Sequence, residues 1–143
     1  FYWVLFGGGA LFGAAIAGRL ADRIGFRATL RLTMAVQIGA ILMAAFFPND
    51  WALAVSAIAV GAYVPGVVPL VLGRARELAG PDTAAQRRAW SYATTGFAVG
   101  QAVAAYLMSW VFEQSGDYII LYWLGGAAMA AALLTDLVTG RNA

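Results

Sequence analysis

Cysteine, histidine and lysine are all absent from this 143-residue chain, so its nine basic residues are all arginine. Without cysteine there is no disulfide, no thiolate nucleophile and no zinc-finger ligand set. Without histidine there is no imidazole base, no haem–His site and little prospect of a transition-metal site. No metal and no cofactor is therefore expected, and no enzyme. Charge is also scarce. Charged residues make up 11% of the chain, against roughly 25% in a soluble domain. So few cannot supply the polar share of a soluble surface, where charged side chains almost always lie. Disorder is excluded on the same ground, since it requires low hydrophobicity and high net charge. A net charge of +2 is too small to argue for a nucleic-acid partner. The chain opens Phe1-Tyr2-Trp3 without an initiating methionine, which is the expectation for a piece of a longer protein.

What the chain has in abundance is apolar length. Residues of the hydrophobic set make up 62%, and there are 17 glycines besides. A helix needs about 20 mostly apolar residues to cross a bilayer. Five stretches qualify, at about 1–18, 28–47, 51–73, 90–112 and 118–138, within a single transmembrane domain covering 1–143. Arg31 and Asp136 are their only charges, each at one end of its stretch. Backbone polar groups in hydrocarbon must be satisfied internally, so runs of this length read as helices. No alternating ten-residue pattern of an outer-membrane barrel is present. The expected fold class is all-α, a polytopic bundle of five spans in the lipid bilayer.

The connections alternate in character. Segments 19–27 and 74–89 carry Arg19, Arg23, Arg27, Arg74, Arg76, Arg87 and Arg88. The turns at 48–50 and 113–117 carry Asp50, Glu113 and Asp117. Alternate threading puts all nine arginines, Arg31 and Arg141 included, on one side. By the positive-inside rule that side is cytoplasmic, with the C-terminus inside. Trp3, Trp51, Trp110, Tyr118 and Trp123 then fall near the outer interface, and Trp90 and Tyr92 near the inner one. These are the positions where amphipathic rings collect. Between the third and fourth spans, Arg74–Leu78 can extend a helix, Gly80-Pro81 stops it, and Asp82 or Thr83 caps the next.

The first basic connection reads Gly18-Arg19-Leu20-Ala21-Asp22-Arg23-Ile24-Gly25-Phe26-Arg27. Physically it is a tight turn between two spans. Its glycines relax backbone limits, its Asp22 suits a helix N-terminus or a neighbouring arginine, and its arginines fix topology. Charge alone is equally satisfied by a plain anti-translocation loop. The spacing, however, resembles the cytoplasmic signature of the major facilitator superfamily, roughly Gly-x-Leu-x-Asp-Arg-x-Gly-x-Arg. Gly18, Leu20, Asp22, Arg23, Gly25 and Arg27 match it. Phe26 departs, where the pattern often has a basic residue. The stretch Gly73–Leu78 with Gly100-Gln101-Ala102 also resembles a bacterial branch called YbfB/YjiJ-type. The resemblance implies helices eight to twelve of a twelve-helix secondary transporter, built of two six-helix halves around a substrate cavity. It implies a bacterial inner-membrane location. It also implies that the other half, or a second copy, completes the cavity for a small-molecule substrate. Asp22 is expected to help close the cytoplasmic side.

No ionisable group lies deep in a span, so neutral polar residues are the candidates for contacting a solute. Ser56 and Tyr63 are seven apart on the third span, which also holds Pro65 and Pro69. Thr94 and Gln101 are seven apart on the fourth, with Tyr106 on a neighbouring face. The resemblance implies that the first, third and fourth spans line the cavity and the others lie outside. Hydrogen bonding between helices is the commoner use of such residues, and is the reading for Thr33 and Gln37. Gly9-x-x-x-Gly13 and Gly96-x-x-x-Gly100 are spacings that permit close helix packing. A non-transport membrane scaffold is the alternative function.

Overall fold

The computed structural model describes residues 1–139. Five helices follow one another: α1 Tyr2–Ile24, α2 Phe26–Phe46, α3 Asp50–Ala79, α4 Thr83–Ser115 and α5 Tyr118–Thr139. Each is long and apolar enough to cross a membrane, and there is no strand among the described residues. The all-helical bundle expected from the apolar stretches is what forms.

The helices outrun those stretches at the arginine end. α1 continues through Arg19–Ile24 and α2 begins at Phe26, so segment 19–27 is helix on both sides of Gly25 rather than a loop. Segment 74–89 is likewise helical apart from Gly80–Asp82. The reason is propensity: Arg, Leu, Ala, Glu and Gln are good helix formers, and polarity ends a membrane span without ending a helix. α3 has 30 residues and α4 has 33, well above the number that crosses hydrocarbon. Their paired extensions therefore meet beyond the apolar stretches. Gly80 terminates α3 at φ 64°, and the Asp82 carboxylate accepts the Ala84 N–H at 2.8 Å to start α4.

Packing centres on α3. α1 lies along it more extensively than any other pair, through a seam with almost no side chain between the backbones. A Cβ on Gly9 would collide with the Ile58 carbonyl oxygen, one on Gly13 with that of Ala62, and one on Gly61 with that of Phe6. Such proximity gains dispersion contact, which drives association where lipid removes any hydrophobic advantage. Farther along, Ala17 and Ala21 close around Leu70, which is fully buried, with Phe26 and Leu30 packed against them. α2 joins this pair and carries α5 on its far side. There Leu42 fills the space beside Gly126, and Phe46 meets Trp123 edge-on at 4.7 Å between ring centroids. Arg31 of α2 donates from Nε to an Asp136 carboxylate oxygen at 2.5 Å, and from a terminal nitrogen to the Asp136 carbonyl at 2.9 Å. α4 touches only α3 and α5, and none of its residues is buried. The second glycine spacing differs accordingly: nothing lies within 4 Å of a Cβ on Gly96 or Gly100.

Candidate signature turn and solute-facing helix

The signature segment folds around one residue. Gly25 alone links α1 to α2, at φ 84° and ψ 158°. Its N–H closes α1 on the Ala21 carbonyl at 2.8 Å. Its own carbonyl accepts both the N–H and the hydroxyl of Thr29, at 3.1 Å and 2.8 Å. Side chains resist that φ, so the glycine is a requirement of the turn. Leu20 and Gly18 are half-buried, whereas Asp22 and Arg23 project outward, exposed. Arg27 is partly buried, and its Nε has no hydrogen-bond partner. Phe26, the position that departs from the signature, lays its ring against Gly73 of α3, where any Cβ would clash with it.

The five solute-contact candidates divide into two groups. Ser56 is buried inside the bundle. Tyr63 is half-buried and directs its hydroxyl at the Met129 sulfur of α5, 3.7 Å away. With Gln37, Ile16, Leu20 and Val36 it lines an apolar groove of about 250 Å³ between α1, α2 and α3. Thr94, Gln101 and Tyr106 are all exposed on α4, Tyr106 at 81%. Thr94 donates its hydroxyl back to the Trp90 carbonyl at 2.8 Å, leaving the oxygen free to accept. The structure thus does not bring the five residues together.

The two polar residues assigned to helix–helix bonding also separate. Gln37 is buried, at 4% exposure, but its Oε1 has no partner among the described residues. Thr33 spends its hydroxyl on the Leu30 carbonyl of its own helix, 2.9 Å away, so it ties no helices together. The Arg31–Asp136 pair, by contrast, does bridge two helices. Each residue reads as a boundary charge in sequence, and nothing there links positions 105 apart. α4 also carries a face of small and polar residues: Ser91, Thr94, Ala98, Gln101, Ala105 and Ser109 recur there at helical spacing. Val99, Val103, Leu107 and Trp110 occupy the other. Among the described residues no cluster of acidic side chains could hold a metal ion.

The profile of the family described as "Uncharacterised MFS-type transporter YbfB" matches residues 1–137, nearly the whole chain. The chain belongs to the major facilitator superfamily. A D-xylose transporter of Levilactobacillus brevis is 35% identical to this major facilitator chain over 127 residues, which are 88% of the chain and 27% of that protein. The chain therefore spans about a quarter of the length of that relative. No solved structure matches it. In this family member the Gly18–Arg27 segment forms the end of α1, the Gly25 turn and the start of α2.

Proposed function

We propose that this chain forms helices eight to twelve of a secondary active transporter that moves a small neutral solute by alternating access. The carrying observation is α4. This long helix is unburied on every side in the bundle, and one of its faces is small and neutral polar, with Thr94 and Gln101. A helix surrounded by lipid gains nothing from serine, threonine and glutamine in a row, whereas a helix beside an aqueous path does. Amide and hydroxyl groups without a formal charge suit hydroxyl-rich ligands, each group acting as donor and acceptor. The 35% identity to a D-xylose transporter makes pentoses the first solutes to try. Ser56 and Tyr63 stand on α3 as supporting positions behind the path.

The arginine end faces the cytoplasm in this reading, in the inner membrane of a bacterium. Asp22 there lies exposed at the last turn of α1, free to meet the other half of the transporter when the inner side is closed. The test is uptake by the whole protein in proteoliposomes, with D-xylose first and then hexoses and polyols. Gln101→Ala and Thr94→Ala should each lower uptake about tenfold at unchanged abundance, the cost of one lost solute hydrogen bond in a desolvated site. Absence of uptake across the panel removes the neutral-solute assignment. Undiminished uptake in both variants removes α4 from the path.

A further inference from the structure

The turn around Gly25 creates a second feature, distinct from the solute path. Because Phe26 seats on Gly73, the start of α2 is held against the extension of α3. Three arginines, Arg27, Arg31 and Arg74, consequently line one cleft of about 670 Å³, together with Glu77 and Ile24. Two are already answered: Arg31 by Asp136, and Arg74 by Glu77 at 3.1 Å. Arg27 has no acidic partner among the described residues, and its Nε is buried without a hydrogen bond. Three cations against two carboxylates leave the cleft one positive charge. A buried unmet donor on a charged group is costly, and such groups are ordinarily satisfied. The beginning of α2 opens into the same cleft. It has no side-chain cap and no acid in its first turn. The N–H groups of Phe26, Arg27 and Ala28 precede the first intrahelical bond, from Thr29 to Gly25. Backbone donors and guanidinium groups converging on one space form an anion receptor.

We propose that this cleft binds the phosphodiester headgroup of an anionic phospholipid. The single surplus charge matches a monoanionic phosphodiester. The cleft lies where the helices leave their apolar stretches, the depth at which headgroup phosphates lie. Its rim includes Ile24, 47% exposed, an apolar contact for the glycerol and acyl carbons that a free phosphate ion does not use. The lipid phosphate pairs with the Arg27 guanidinium and caps α2, joining the α1–α2 turn to α3.

The experiment is native mass spectrometry of the whole protein in detergent, titrated with dioctanoylphosphatidylglycerol. One adduct is expected that weakens about tenfold in Arg27→Gln, from loss of a charge-assisted contact. Arg74→Gln, which alters an exposed ion pair in the same cleft and leaves the turn intact, should weaken it as well. Arg88→Gln, on the far side of the Gly80–Asp82 turn, should leave it unchanged. Dioctanoylphosphatidylcholine and millimolar inorganic phosphate should not displace it. Equal weakening by Arg88→Gln would reduce the effect to diffuse surface charge and overturn the site. Displacement by inorganic phosphate would assign the cleft to free anions instead of lipid. An adduct indifferent to both Arg27→Gln and Arg74→Gln would overturn the proposal outright.

Discussion

Gly13 shows how much one missing side chain contributes in this protein. Its α-carbon faces the Ala62 carbonyl so closely that even a methyl group would stand well inside contact distance of the oxygen. Gly13→Ala must push α1 away from α3 along the largest helix contact in the bundle. Overpacking of this kind costs about 1–3 kcal/mol. The whole protein carrying Gly13→Ala should therefore lose thermal stability in detergent, followed by the temperature at which its monodisperse chromatographic peak disappears. Gly39 is the internal control. It lies mid-helix in α2 with nothing within 4 Å of its would-be Cβ, so Gly39→Ala should leave that temperature unchanged or raise it slightly. Equal losses at both positions would contradict the glycine seam. The spacing Gly9-x-x-x-Gly13 was legible in sequence as a close-packing pattern, and so was Gly96-x-x-x-Gly100. Only the first is packed in the bundle, because a spacing specifies a face and not what meets it.

At the scale of elements, the helices were legible because apolar length leaves a backbone in hydrocarbon few options. Their ends were not. Charge marks where a chain leaves the membrane, but Arg19–Ile24 and Arg74–Ala79 remain helical because their residues favour it. Contacts between elements were less legible still. Arg31 and Asp136 meet only because α2 lies against α5, and no local pattern encodes that neighbour. The pair has side chains 26% and 29% exposed and is reinforced by a bond to the Asp136 carbonyl. That geometry places it between a loose surface bridge and a buried one. A double-mutant cycle with Arg31→Gln and Asp136→Asn should give a coupling of about 0.5–3 kcal/mol, measured on thermal or denaturant unfolding. The double variant should be more stable than the sum of the single losses implies. Strict additivity would mean that the bridge does not join α2 to α5. The site was legible to the same uneven degree. The Gly18–Arg27 signature rests on local spacing and was readable, and its glycine does turn the chain. The grouping of Ser56 and Tyr63 with Thr94, Gln101 and Tyr106 depended on tertiary placement, which separates the first two from the others.

For the molecule as a whole, α1 and α2 pack against α3, α5 lies on α2, and α4 stands at the edge with its polar face exposed. The transporter assignment predicts that this face borders water and a travelling solute. A lipid-facing scaffold predicts that it borders hydrocarbon. The chain has no cysteine of its own, so a single introduced thiol within it reports one position. The decisive measurement is the reaction of Gln101→Cys and Val103→Cys, each in the whole protein in membranes, with a membrane-impermeant methanethiosulfonate reagent. Gln101 and Val103 lie at nearly the same depth on opposite faces of α4, and both are exposed in the bundle. The account predicts rapid modification at position 101, slowed by a transported solute, and none at position 103. Inertness at 101, or equal reactivity at both positions, would contradict the claim that α4 lines a transport path.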